Sequence, residues 1–289
     1  MGISAAMFLA GLQLVPAIPE LGDADVRTVE VADDGAVWFG VRDRGLARFS
    51  DGELEWIPEL PLQAVADLHV DENGVLWVVG VGGAAALTEA DWLHFPDPGG
   101  LGSRVVFRIT EEPRSGALWF AGTGGAARLL NDEWETVTER DGLPHSVVHA
   151  VLVTDAGARW FACRRGLARM DPQGLVTFEP TTNFRSILQA PDGAIWFGTS
   201  SGFRLWSGSE LSTFGSAAVY PTLATTEGGL WAGSGTEGVF RYDGSEWEKL
   251  PTPVELRGGE VFDLAQDGSG VIWIATSKGV WTVNEAGAF

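Results

Sequence analysis

The residues of this sequence with the clearest chemical potential are cations that fall at matching places along the chain: Arg27, Arg42, Arg44, Arg108, Arg164, Arg165, Arg185 and Lys278. A guanidinium offers a planar fork of donors that grips a carboxylate or phosphate with two hydrogen bonds. Such a set suits an anionic ligand or an acidic segment of a partner protein. The competing reading is that these cations pair internally with Asp43, Asp67, Glu260 and Asp263. Histidine is the usual general base near neutral pH. If the protein is an enzyme, His149 is the candidate base and Glu260 its candidate partner. The lone Cys163 precedes Arg164 and Arg165, whose charge would favour a thiolate. It also fills a short-residue slot that Thr199, Ser234 and Thr276 fill elsewhere, which reads as a packed thiol.

Other chemistries find no support. Asp33-Asp34-Gly35 and Asp71-Glu72-Asn73-Gly74 hold oxygen ligands without calcium-loop spacing and read as turns. One cysteine excludes a multi-cysteine zinc site and a disulfide framework. Motifs of the P-loop, serine-hydrolase and zinc-protease kinds are missing, so no metal and no cofactor are expected. A net charge of −20 argues against nucleic acid and anionic lipid as partners. No stretch approaches the roughly 20 apolar residues of a membrane helix. The apolar start lacks a basic flank and is interrupted by Gly11 and Gln13. A cytoplasmic protein is the expectation, with a periplasmic or secreted one as the alternative; the oligomeric state is left open.

What positions these residues is a repeat. Gly-x-x-Trp occurs seven times, at Trp38, Trp77, Trp119, Trp160, Trp196, Trp231 and Trp273, spaced 35 to 42 residues apart. Another glycine follows each Trp by six or seven residues, from Gly45 to Gly279. Each unit reads as four short strands. The first has apolar residues three apart, such as Val26/Val29 and Val106/Ile109, and ends in an Asp-Gly type turn. The second holds the Trp, with a small residue two positions later in six of the copies. The fourth strand is found six times, as in Leu54/Ile57 and Trp247/Leu250; the seventh copy lies at the other terminus, as Leu12/Val15.

Seven four-stranded units that share one sheet between the termini predict an all-β, seven-bladed β-propeller. The ring is closed by an N-terminal strand at about residues 11–16, and the repeats run over about 23–284. The whole of 1–289 is read as a single propeller domain. In this arrangement the first strands line a central channel.

The pattern of Asp192-Gly-Ala-Ile-Trp-Phe-Gly-Thr199 and the turn Arg140-Asp-Gly-Leu-Pro-His145 resemble the two-component regulator propeller repeat. The resemblance extends over residues 12–284. It implies a binding or sensing propeller, because members of that family commonly form periplasmic ligand-sensing parts of hybrid histidine kinases. The sensor-kinase role itself is not carried over, since the 289 residues hold no kinase segment.

With this topology the mouth loops and first strands gather ten cations, the eight above with Arg104 and Arg257, against seven carboxylates. The mouth is then mildly basic on an acidic body. The expected function is a non-enzymatic module that binds a partner protein or an anionic ligand through this face. The alternatives are a lyase or hydrolase acting on an anionic glycan or lactone-like substrate with His149 as base, and a rigid scaffold subunit. Trp206 and Trp281 are candidates for a partner surface. The recurring Arg48, Arg128, Arg169 and Arg241 read as structural.

Overall fold

A computed structural model describes residues 15–88, 91–171, 173–214, 219–225, 229–235, 237–242, 246–253 and 255–284. Its strands form seven four-stranded antiparallel sheets. Six are built from consecutive strands; blade 1, for example, runs Val26–Val31, Val37–Val41, Gly45–Ser50 and Glu53–Ile57. In blade 7 the strands Val261–Gln266, Val271–Thr276 and Gly279–Asn284 are completed by Val15–Pro16 from the other end of the chain. Val15 stands opposite Thr282 and Pro16 opposite Trp281. The expected closing strand is therefore seen at residues 15–16; residues 11–14, with Leu12, lie outside the described residues.

The spacing of three in the first strands has a specific cause. Each of the seven carries a register shift against its second strand, as between Val26 and Thr28 in blade 1. Such a bulge puts an extra residue on one side of the ladder. Val26 and Val29 then both pack between blades, and Arg27 and Thr28 are released together toward the channel. The first strand of blade 1 thus supplies two adjacent residues toward the channel.

The second strands form the dry interior between blades. Trp119, Trp160 and Trp231 are fully buried, as are Phe39, Phe120, Phe161 and Phe197, each beside a repeat Trp. Burying one such phenylalanine contributes roughly 1.5–3 kcal/mol. The small residue two positions after Trp lets sheets approach: a Cβ on Gly40 would stand 2.5 Å from Val65 of blade 2. At Gly35, φ is +83°, a conformation the Asp-Gly turn requires. In blades 2 and 7 the turn is also tied to the Trp. Trp77 donates its indole N–H to Asp71 at 3.0 Å, and Trp273 donates to Asp267 at 2.9 Å. No helix among the described residues is long and apolar enough to cross a membrane.

Candidate functional site

In the channel, Arg108 of blade 3 lies between two aspartates. Its Nη1 is 3.3 Å from Asp67 of blade 2 and 3.3 Å from Asp263 of blade 7. Both carboxylates are anchored to neighbouring blades. Asp67 accepts the backbone N–H of Ile109 at 3.0 Å, and Asp263 accepts that of Val29 at 3.1 Å. The Thr28 hydroxyl donates to Asp263 at 2.8 Å. Burial, with Asp263 nearby, raises the Asp67 carboxyl well above the ordinary carboxylate range, although Arg108 pulls the other way. For Arg108, burial opposes the charge, but the two aspartates outweigh it and hold the guanidinium cationic.

A second layer of the channel contains His69. Its Nε2 is 2.9 Å from Glu111 and its Nδ1 3.5 Å from Glu30. Burial disfavours the imidazolium, yet the two glutamates raise its pKa to about 9. His69 is charged at neutral pH. His69 is not among the residues singled out from the sequence. The signal was available, because His69 and Glu30 hold the same position in successive first strands. Beside these two layers lies a cavity of about 210 Å³ whose lining includes His69, Arg108, Asp263 and Ser186. Ser186 is 5% exposed, and its buried Oγ has no hydrogen-bond partner.

At the mouth, seven of the eight predicted cations fall into two groups, and the eighth, half-buried Arg185, stands near His149. Arg27 and Arg42 both pair with Asp25, at 2.7 and 3.0 Å. Arg27 also stacks over Phe262, and Arg44 over Trp56. Lys278 donates to the carbonyls of Glu255 and Arg257. Arg108 is held as described. Arg164 and Arg165 form the second group: both are exposed, and neither makes an ion pair among the described residues.

These two follow the Trp strand of blade 4, and His149 stands on that blade's first strand, Val148–Val153. Burial depresses the His149 pKa to about 4, with Arg185, Arg164 and His145 adding to the effect. The imidazole is neutral at pH 7. The Asn183 side chain near the ring works the other way, and the ring packs 5.4 Å from Phe107. No hydrogen bond or ion pair among the described residues joins His149 to Glu260, which is exposed and donates its backbone N–H to Ser277.

Three further residues have settled places. Cys163 is fully buried, donates to the Phe161 carbonyl, and has its thiol pushed up to about 12 by burial. Trp281 is 4% exposed and donates its indole N–H to Lys278. Trp206 packs on Trp160 and Phe178. Neither tryptophan offers a free ring to a partner, because the third strands turn these positions into the gap between blades. No group of three or more His, Cys, Asp or Glu among the described residues is arranged to hold a metal.

Comparison with known proteins agrees with this architecture. Residues 179–201 and 255–278 match the two component regulator propeller family. No curated protein sequence matches the chain. Among solved structures, the catalytically inactive virginiamycin B lyase of Staphylococcus aureus with quinupristin is similar at 20% identity and a TM-score of 0.78, over 94% of this chain and 99% of that one. A structure described as the extracellular domain of a hybrid two component system from B. thetaiotaomicron is similar at 18% identity and a TM-score of 0.83. That match takes in 95% of this chain but 42% of the other, so the chain spans less than half of that domain. The WD40 β-propeller domain of Doa1 is similar at 14% identity and a TM-score of 0.72, over 95% and 97% of the two chains. Identities this low carry the fold alone. The chain is a seven-bladed β-propeller in which two segments, 179–201 and 255–278, match the two component regulator propeller family.

Proposed function

We propose that this propeller is a non-enzymatic binding module that takes an anionic ligand, or an acidic segment of a partner protein, at the channel mouth over blades 4 and 5. Arg164 and Arg165, exposed and without an ion pair among the described residues, are the residues that meet it; Arg185, which is engaged within the chain, adds to the positive field. The observation supporting this reading is the state of His149, whose basicity is suppressed by burial and by Arg185 and Arg164. Burial is the larger cause of that suppression; the smaller part, from Arg185 and Arg164, is a positive field that also draws an anion. The cations at Arg27, Arg42, Arg44, Arg108 and Lys278 already have partners within the chain and are assigned to shaping the mouth. Titration calorimetry with citrate, inorganic phosphate and a short poly-glutamate peptide tests the proposal. Binding should weaken with added salt and fall at least about tenfold in Arg164→Glu and Arg165→Glu. Equal affinity in wild type and both variants sinks it.

The lyase or hydrolase alternative, with His149 as base, has less behind it. A pKa near 4 makes a poor base at neutral pH, and no carboxylate among the described residues orients the ring. The scaffold alternative calls for a large apolar patch, whereas the exposed large apolar residues described are the scattered Val81, Leu93 and Val176. For the compartment, the extracellular placement of the two-component relative supports the periplasmic or secreted alternative over the cytoplasmic one.

A further inference from the structure

The first strand of each blade has a neighbour on one edge only, so alternate backbone N–H groups leave the ladder and point into the channel. The register shows which ones. Val29 stands opposite Phe39 in blade 1, and Ile109 opposite Phe120 in blade 3. Both N–H groups are taken by a carboxylate of the preceding blade, Asp263 at 3.1 Å and Asp67 at 3.0 Å. A carboxylate is thus what this scaffold places on a channel-facing N–H.

Val151 of blade 4, opposite Phe161, and Ile187 of blade 5, opposite Phe197, hold the same register. Their side chains pack away from the channel, Val151 in the core between blades 3 and 4 and Ile187 in that between blades 4 and 5. What they present to the 210 Å³ cavity is backbone. The preceding blades hold no carboxylate for them. The place of Asp67 is taken by Arg108, itself a donor, and then by Ala150. No side chain among the described residues accepts from either N–H. Arg108 adds further donors: only its Nη1 is engaged, and 29% of its side chain is exposed. Across the channel, Glu30 is held through Oε1 alone, by the Val70 N–H at 3.1 Å and by His69. Its Oε2 makes no hydrogen bond among the described residues.

We propose that this channel cavity is a second binding site, for a small α-amino acid in its zwitterionic form. The ligand carboxylate takes the N–H groups of Val151 and Ile187 and the open edge of the Arg108 guanidinium, as Asp263 and Asp67 take the equivalent N–H groups of blades 1 and 3. The ligand ammonium meets Glu30 Oε2. The short side chains of Ala150 and Ser186 leave the room on the side of blades 4 and 5. A cavity of about 210 Å³ lies below the range of drug-sized ligands, about 300–1,000 Å³, and restricts the ligand to a short side chain. Charge decides against simpler ions. The lining sets Glu30, Asp67 and Asp263 against Arg108 and His69, so a bare anion adds to an excess of negative charge. A bare cation leaves the N–H groups unanswered. The zwitterion satisfies both ends and adds no net charge.

Calorimetry and amide NMR on the full chain, with glycine, alanine, acetate and methylamine as probes, test this site. Glycine or alanine should bind saturably and shift the amide signals of Val151 and Ile187. Acetate and methylamine, each carrying half of the ligand, should bind at least about tenfold more weakly. Glu30→Gln keeps the oxygen that accepts the Val70 N–H and removes the charge, so it should fold normally and weaken glycine binding at least about tenfold. Ala150→Asp sets a carboxylate where Asp67 and Asp263 stand in their blades and should abolish binding by answering Ile187 from within the chain. Arg165→Glu should leave glycine binding unchanged, which separates this site from the mouth. No binding of either amino acid, acetate or methylamine binding as tightly as glycine, unmoved Val151 and Ile187 amides, or undiminished binding by Glu30→Gln would overturn the proposal.

Discussion

Arg108 and Asp263 are 155 residues apart in sequence and meet across the channel, guanidinium to carboxylate, at 3.3 Å. Asp263 also holds the N–H of Val29, so this contact reaches the joint between the last blade and the first. Asp67 and Asp263 are buried and Arg108 is partly wet. Removing one partner of a buried pair leaves the other charges uncompensated. Arg108→Met should therefore cost about 3 kcal/mol in chemical denaturation. Adding Asp67→Asn and Asp263→Asn to that variant should recover most of the loss.

His149 should make the fold acid-sensitive. Its pKa of about 4 lies below the ordinary 6.5, so between those values the unfolded chain binds a proton that the folded chain refuses. Stability contributed by the neutral ring is full above pH 6.5 and declines as pH falls toward 4. Melting curves over that window should show wild type losing about 2 kcal/mol relative to His149→Gln, at roughly 1.4 kcal/mol per unit less a discount for partial solvation.

His69 should act in the opposite direction. Its pKa is raised to about 9, so the folded chain holds a proton above pH 6.5 that the unfolded chain releases. The stabilisation is full below 6.5 and is lost as pH rises through 9. His69→Gln should flatten the decline between those values in thermal melts monitored by circular dichroism.

Cys163 should be inert. Its thiol has no exposure and is pushed up to about 12, and thiolate is the reactive species. Ellman's reagent should label it only after denaturation, despite the two arginines that follow it.

Much of the fold was legible because packing demands recur. The Gly-x-x-Trp spacing, the small residue after it and the copy of the fourth strand at the far terminus each answer a constraint present in every blade. The bulge was legible only through its consequence, apolar residues three apart instead of two. The site was harder, since polar pairing in the channel joins residues from different blades, as Arg108 with Asp263 or His69 with Glu111. Sequence spacing within one repeat does not encode which blades face each other at what height. The cations at the mouth could be gathered from the chain, but their sorting into paired Arg27 and exposed Arg164 depends on where Asp25 lies.

The claim of a positive mouth over blades 4 and 5 is tested most directly by NMR titration of the His149 ring. The midpoint in wild type should lie near 4, rise when Arg164 is changed to Gln, and rise when citrate is added to saturation. A wild-type midpoint near the ordinary 6.5, unmoved by Arg164→Gln and by citrate, would contradict the account.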